Sequence, residues 1–247
     1  MAKSLIGAPI LAPTPKIENI NEYYEKRFKK LNNYFCNNED TDFSTETELL
    51  RKYNDSEAPF IFFSIDMVES TKRSIELNLK TNSIVNNMFL NESANMIRNF
   101  GGHIYKFEGD GLIAFFTTDN ILNRADDSIQ CAYTLKTFIE KYLNNFLKEK
   151  NLAPIEFRIS MNYGDIFVKD VGDKVELNGY NLNATFKIQK FATPNDIVIG
   201  SNLVDLVHKK WRNRMKKLKI NPRKLKQEKL DTRMKIYRLH NLEGRYD

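Results

Sequence analysis

In the stretches Phe60-Ile-Phe-Phe-Ser-Ile-Asp66 and Ile104-Tyr-Lys-Phe-Glu-Gly-Asp110-Gly-Leu-Ile-Ala-Phe-Phe116, an aspartate stands where an apolar strand runs into a turn. A carboxylate at the end of a buried strand is poorly hydrated, and a bound cation is the usual compensation. Carboxylates on neighbouring strands can form a hard-oxygen site for Mg²⁺ or Mn²⁺, which often bridges nucleotide phosphates. Either aspartate alone fits an ordinary acidic turn, so the prediction of a metal site rests on the pair.

Three short motifs follow one another in an order that resembles the catalytic domain of the class III nucleotidyl cyclases. They are Asp66-Met-Val-Glu-Ser-Thr71, Lys106-Phe-Glu-Gly-Asp110 and Gly179-Tyr-Asn-Leu-Asn183-Ala-Thr-Phe-Lys187. The resemblance extends over residues 59–239 and includes the spacing of the motifs. It implies an α+β fold with ferredoxin-like βαββαβ order, in which helices pack against one face of a mixed sheet.

The resemblance also implies how metal ions and phosphates are bound. Asp66 and Asp110, with the backbone carbonyl of Met67, would hold two divalent cations, Mn²⁺ or Mg²⁺. A turn at the start of the following helix would bind the triphosphate through its amides, because helix N-termini favour anions. That turn consists of Val68, Glu69, Ser70 and Thr71.

The resemblance implies further residues that would contact the ribose, the base and the phosphates. Asn183 would orient the ribose, and Lys187 stands where the family has its transition-state arginine. Lys106 and Glu176 occupy the two positions that bind the base, and Lys229 occupies the position of a triphosphate lysine found in some cyclases. Lysine lacks the planar fork of arginine, so the transition-state contacts of Lys187 would differ in geometry from those of the family.

The positions of Lys106 and Asp110 imply an active site made by two chains. The two residues lie four positions apart on one hairpin, yet one has a base-binding role in the family and the other a metal-binding role. In class III cyclases a head-to-tail pair of domains supplies these roles from opposite subunits. A chain that carries every motif is therefore expected to form a two-fold homodimer with two equivalent sites.

The base-binding pair limits which nucleotide is the substrate. Lysine only donates hydrogen bonds and an ionised glutamate only accepts them, a combination that fits adenine, cytosine or uracil. Guanine is disfavoured because guanylate cyclases usually carry a carboxylate where Lys106 stands. Glu176 is longer than the family's usual residue, which suits a smaller ring, and Tyr180 replaces the usual Asp or Asn after Gly179.

A stand-alone cyclase with these features resembles the Pycsar pyrimidine cyclases of bacterial anti-phage defence. That resemblance implies a second messenger, cyclic UMP or cyclic CMP, which acts on a separate effector; we expect UTP as substrate, with CTP second. One alternative is an adenylate cyclase, because Lys106 is the adenylate-type residue. Another is a catalytically silent nucleotide-binding dimer, which Lys187 favours.

Hydrophobic periodicity and turn residues predict the organisation of the chain. Residues 1–58 are predicted to form an arm, a helix over 18–35 and a polar linker; residues 59–241 form the cyclase domain, and 242–247 a tail. The predicted elements of the domain are strand 60–66, helix 70–99, hairpin strands 103–107 and 111–116, helix 123–149, strands 155–161 and 166–171 around a Gly164-Asp165 turn, helix 181–191, strand 197–199 and strand 232–240.

Charge and cysteine content narrow the class of protein further. The net charge is +6, but residues 209–229 contain eleven Lys or Arg and one acid, so the rest of the chain is net acidic. We expect a solvated basic surface near the triphosphate entrance, and no nucleic-acid partner, because Trp211 is the segment's only aromatic residue.

The two cysteines lack metal-ligand spacing and indicate a reducing cytoplasm. No apolar window is long enough to span a membrane.

Overall fold

The computed structural model describes residues 17, 19–37 and 42–240. The predicted arm up to residue 16 and the tail at 242–247 lie outside the described residues. In chain order the elements are α1 (Ile20–Asn37), a 3₁₀ helix (Thr47–Tyr53), β1 (Ser56–Met67), α2 (Ser70–Glu76), α3 (Leu79–Asn99), β2 (His103–Glu108), β3 (Gly111–Phe116), α4 (Ile121–Phe138), a π-helical turn (Ile139–Leu143), α5 (Asn144–Glu149), β4 (Phe157–Val171), β5 (Lys174–Asn178), α6 (Tyr180–Gln189), β6 (Asp196–Gly200), α7 (Ser201–Val204), α8 (Lys209–Arg212), β7 (Met215–Lys217), α9 (Pro222–Gln227) and β8 (Ile236–Leu239).

The strands form one mixed sheet in the order β2-β3-β1-β4-β6-β8-β7. β5 pairs with the C-terminal part of β4, residues 167–171. β1 is antiparallel to both β3 and β4, whereas β6 is parallel to β4. The central position of β1 explains its apolar sequence, because both faces of a central strand are covered. In this register Asp66 lies opposite Gly111 on β3 and Arg158 on β4.

Alternate residues of β1 enter two different cores. Ile61, Phe63 and Ile65 pack with residues of α1, α3 and α4, while Phe60 and Phe62 face a second core under the 3₁₀ helix, β5 and α6. The predicted α+β mixed sheet is confirmed. The prediction of helices on one face describes the α1, α3 and α4 layer, but α6 and α9 pack on the opposite face, where Val198 contacts their apolar residues.

Gly164 was predicted to turn the chain, and this prediction is wrong. β4 runs without a break from Phe157 to Val171, and Gly164 is extended at φ 159°. A Cβ atom at this position would lie 2.2 Å from the side-chain Nδ2 atom of Asn181. The glycine therefore allows the start of α6 to approach the strand closely, which seats α6 on the sheet.

The single helix predicted over residues 70–99 is two helices. α2 ends before Leu77, which is extended, and α3 begins after Asn78. The Asn78 side chain accepts a hydrogen bond of 2.9 Å from the amide of Thr81, a typical N-cap that starts a new helix. The break leaves α2 as a short, separate helix beside the end of β1.

The helix α1 packs on the sheet's main helical layer through a buried ion pair. Arg27 donates hydrogen bonds of 2.6 and 2.7 Å to the two carboxylate oxygens of Glu92 on α3. Burial raises the pKa of Glu92, and Arg27 opposes that effect. Because an unpaired buried charge is strongly destabilising, this pair ties α1 to α3.

The basic segment 209–229, for which the sequence left helix and loop open, contains α8, β7 and α9. β7 is the last strand of the sheet and pairs with β8. Trp211 is buried with its ring centroid 6.2 Å from that of Tyr133, and Leu225 enters the core beneath α6. The segment is thus folded onto the domain, with its cations directed mainly to solvent.

Candidate active site

The sheet register brings the two predicted metal-binding aspartates together. Asp66 is the next-to-last residue of β1, and Asp110 occupies the turn between β2 and β3. Both line one cleft of about 220 Å³, whose other walls include Phe186 and Gln189 of α6. A Cβ atom on Gly111 would lie 2.7 Å from the backbone oxygen of Ile65. Glycine at this position lets the hairpin turn approach the end of β1.

Arg158 is a site residue that the sequence reasoning missed. It lies opposite Asp66 in the β1–β4 register, and its Nη2 and Nε donate hydrogen bonds of 2.9 and 3.3 Å to the Asp66 carboxylate. Gln189 of α6 donates a 3.0 Å hydrogen bond to the Arg158 carbonyl. The sequence carried one signal, a lone cation in the alternating strand Ile155–Met161, but only the register assigns it to Asp66.

The electrostatics of Asp66 indicate a site suited to a cation. Burial raises the pKa of this carboxyl, the hydrogen bonds and charge of Arg158 lower it, and Asp110 raises it. The net direction is upward, so the Asp66 carboxylate is not fully compensated by the one partly exposed guanidinium beside it. A proton or a divalent cation satisfies this demand, and the two compete as pH falls.

A second cleft of about 270 Å³ adjoins the first at Asp110. Its lining includes Met67, Ser70, Thr71 and Asn86, and the Asn86 Oδ1 atom is buried without a hydrogen-bond partner. Carboxylate, amide and carbonyl oxygens are the donors that hard divalent cations take. Among the described residues, no group of three or more His, Cys, Asp or Glu side chains is placed to share a metal. An ion here would therefore combine the two carboxylates with backbone or substrate oxygens.

The predicted phosphate-binding turn leads into α2 and is strained. Glu69, the N-cap of α2, has φ 54°, a left-handed conformation that is unfavourable for glutamate, and it makes no side-chain cap. The Val68 amide already donates a 2.8 Å hydrogen bond to Glu156, so a phosphate contact by Val68 requires that bond to open. Contacts by Glu69, Ser70 and Thr71 stay a prediction.

The two predicted base-binding residues are chain neighbours of two hydrogen-bonded residues, Tyr105 and Leu177. Lys106 is exposed on β2 and Glu176 is exposed on β5. Tyr105, next to Lys106, accepts a 3.3 Å hydrogen bond from the amide of Leu177, next to Glu176. Burial raises the pKa of Tyr105, the Leu177 bond lowers it, Glu176 raises it and Lys106 lowers it. Both charges therefore act on the same hydroxyl group.

The other predicted residues are not bonded to the aspartates within one chain. Asn183 and Lys187 lie one turn apart on α6, and Asn183 donates a 3.2 Å hydrogen bond to Gly179. Lys229 follows α9 with φ 56° and is exposed. Over residues 42–240, no hydrogen bond or ion pair joins these three side chains to Asp66 or Asp110.

Solved structures match this architecture over most of its length. The guanylyl cyclase Cya2 superposes with a TM-score of 0.66 at 20% identity, over 78% of this chain and 98% of that one. The adenylyl cyclase CyaB from P. aeruginosa gives 0.64 at 19% identity, over 78% and 97%. The chain has the class III nucleotidyl cyclase fold. The cyclase fold that the three partial motifs predicted is thus confirmed.

Curated relatives match the sequence over a shorter region. A cytidylate cyclase from Staphylococcus aureus is 26% identical over 152 residues, which are 56% of this chain and 35% of the relative. One from Escherichia coli is 26% identical over 155 residues, 58% of this chain and 34% of the relative. The matches thus span about a third of these relatives. No protein-family model matches the chain, and none of the described helices has the length and apolar character needed to cross a bilayer.

Arg158→Gln is expected to raise the affinity of the nucleotide-free protein for Mn²⁺ by about tenfold, because the guanidinium and the metal compete for the Asp66 carboxylate. Calorimetric titration with Mn²⁺ measures the effect. Asp66→Asn should weaken binding in the same titration, and Arg233→Gln, which breaks the remote pair with Asp231, should leave it unchanged. Equal or weaker Mn²⁺ binding by a folded Arg158→Gln protein contradicts this account.

Proposed function

We propose that this chain is a nucleotidyl cyclase that converts a pyrimidine nucleoside triphosphate to its 3′,5′-cyclic monophosphate and pyrophosphate. The observation that carries the proposal is the meeting of Asp66 and Asp110 in one cleft, on a cyclase fold, beside the turn that starts α2. Two neighbouring carboxylates beside helix amides suit a metal–triphosphate complex.

CTP is the first choice of substrate. Lys106 can donate to N3 or O2 of cytosine, and Glu176 can accept from the 4-amino group. The same pair fits uracil through a carbonyl oxygen and N3–H. The residues therefore do not separate CTP from UTP, and the sequence favoured UTP only through the resemblance to the Pycsar cyclases. The curated relatives are named cytidylate cyclases, and this moves the preference to CTP, with UTP second.

The reaction is an intramolecular displacement. The ribose 3′-hydroxyl releases its proton to water as its oxygen forms a bond to the α-phosphorus. The bond from that phosphorus to the bridging oxygen breaks, and pyrophosphate leaves with the electron pair. Asn183 orients the ribose, and Lys187 offsets charge that develops on the α-phosphate. Divalent cations bound at Asp66 and Asp110 would lower the hydroxyl pKa and neutralise phosphate charge. Positioning and electrostatic stabilisation supply most of the rate in such phosphoryl transfers.

A head-to-tail homodimer would bring together the two groups of proposed site residues. In the described region, no hydrogen bond or ion pair joins Asn183 or Lys187 to the aspartates of their own chain. A two-fold axis would place them, with Lys106 and Glu176, over the aspartates of the partner copy, and would generate two equivalent sites. The cyclic product would then serve as a messenger to a separate effector, as in anti-phage signalling.

Two other functions remain as alternatives to the pyrimidine cyclase. An adenylate cyclase is favoured by Lys106, since a donor–acceptor pair also fits adenine. A catalytically silent nucleotide-binding dimer is favoured by Lys187, because its ammonium is a point charge where the family has the planar guanidinium of an arginine.

The proposal is tested by incubating the purified protein with Mn²⁺ and each of ATP, GTP, CTP and UTP. Mass spectrometry should show cyclic CMP as the main product. Asp110→Ala should reduce product formation more than about 100-fold, because the metal site is lost, while circular dichroism shows a folded chain. Cyclic AMP as the main product would identify an adenylate cyclase. Turnover by a folded Asp66→Ala or Asp110→Ala protein would refute the metal-dependent mechanism.

Glu176→Gln should shift the CTP-to-UTP ratio of kcat/KM by about tenfold towards UTP, because a glutamine amide can donate to the uracil 4-oxygen where the glutamate could not. Competition between the two triphosphates measures the ratio directly. Glu57→Gln, at an exposed position of β1, is the matched control and should leave the ratio unchanged. An unchanged ratio in Glu176→Gln removes Glu176 from base recognition.

A further inference from the structure

A segment that the sequence presents as a polar linker crosses the second face of the sheet as an ordered strap. We define the strap as residues 42–55, which include the 3₁₀ helix. Leu50 is completely buried in the second core. The Tyr53 ring packs edge to face against Phe60 of β1, with 5.2 Å between the ring centroids. A mere linker has no need for a fully buried anchor, so the strap is part of the domain's packing.

One end of the strap is bonded to β2. The Glu46 amide donates a 2.8 Å hydrogen bond to the Ile104 carbonyl, and the Glu46 carboxylate accepts from the Ile104 amide. Arg98 holds the same carboxylate through a 2.6 Å hydrogen bond. Ile104 lies two residues before Lys106, so these bonds fix the strand that carries the first base-binding residue.

The other end of the strap is bonded to the β4–β5 hairpin. Arg51 forms an ion pair with Asp170 and donates a 3.1 Å hydrogen bond to the Gly172 carbonyl at the hairpin turn. Asn54 accepts a 2.7 Å hydrogen bond from the Asp170 amide. β5 carries Glu176, so these bonds fix the hairpin that holds the second base-binding residue.

Tyr105 closes the gap between the two anchored elements. β5 pairs with β4 along one edge, and the Leu177 amide on its other edge donates to the Tyr105 hydroxyl. The strap and this hydroxyl therefore link β2 to β5 at Ile104 and Tyr105, just before Lys106, and at Leu177, just after Glu176. Those two side chains are long and exposed, so their reach into a shared pocket depends on where their backbones are held.

We propose that the strap and Tyr105 set the separation of Lys106 and Glu176, and thereby determine which base the site accepts. Arg51, Glu46 and Tyr105 act as positioning residues and do not touch the base. This inference rests on the proposed function, in that Lys106 and Glu176 bind the base. A misplacement near 1 Å can cost about 100-fold in rate, so loosening one anchor is expected to erode base discrimination without removing the phosphate site.

The test measures binding with nucleotides that cannot cyclise. Dissociation constants are determined for 3′-deoxy-CTP, -UTP, -ATP and -GTP, and for inorganic tripolyphosphate, each with Mn²⁺. In Arg51→Ala and in Tyr105→Phe, the ratio between the best-bound and worst-bound nucleotide should fall by about tenfold, while tripolyphosphate binding stays unchanged. Arg51→Lys keeps the charge but loses the planar guanidinium group. Its binding ratio should lie between those of the wild type and Arg51→Ala. Arg233→Ala is the control and should match the wild type.

The outcomes separate this inference from the proposed function. An unchanged ratio in folded Arg51→Ala and Tyr105→Phe proteins contradicts the strap's role, and so does an equal loss of affinity for all four nucleotides and tripolyphosphate. If Arg51→Ala does not fold, Arg51→Lys and Tyr105→Phe decide the matter. A wild type that selects one 3′-deoxynucleotide but forms no cyclic product from the matching triphosphate refutes the proposed reaction alone. A wild type without selectivity refutes the strap's role.

Discussion

The close antiparallel contact between the end of β1 and the start of β3 is the constraint on which the site depends. Gly111 lies opposite Asp66, and any side chain there would collide with the Ile65 carbonyl. That contact places Asp110 beside Asp66, where the burial of Asp66 and, as a smaller effect, its repulsion by Asp110 create a demand for positive charge. Arg158, opposite Asp66 on the other neighbouring strand, meets this demand in part. The fold thus supplies one cation of its own and leaves two carboxylates suited to others.

The elements with strong local signals were predictable from the sequence. The apolar run ending at Asp66 and the Glu108–Gly111 turn give β1 and the β2–β3 hairpin directly, and their adjacency follows from the three motifs. Gly164 was misinterpreted because a glycine that permits a turn and a glycine that permits close approach look alike in sequence. Arg158 was missed because its role exists only in the β1–β4 register, which no local pattern encodes. The strap was missed because its bonds to β2 and the β4–β5 hairpin join residues far apart in the chain.

The described contacts divide the candidate residues into two groups. Asp66, Asp110 and the turn before α2 form an oxygen-rich cleft, whereas Lys106 and Glu176 lie on the strap-bound hairpins, where both charges act on Tyr105. In a two-chain site each group would work with the other group of a partner. Metal affinity and base selection would then be controlled by separate parts of the chain, the first by the β1–β3 contact with Arg158 and the second by the strap. Such a division allows the base pocket to vary while the phosphoryl-transfer chemistry is retained.

A complementation assay tests the central claim, a cyclase site built from two copies of this chain, most directly. Asp66→Ala and Asn183→Ala proteins, each inactive alone, are mixed, allowed to exchange subunits and assayed for cyclic CMP. A mixed dimer would contain one site with both substitutions and one intact site, so equal mixing predicts recovery of about a quarter of wild-type activity. Recovery at that level supports a shared site. A mixture that stays as inactive as its components, although mass spectrometry shows mixed dimers, would contradict the account.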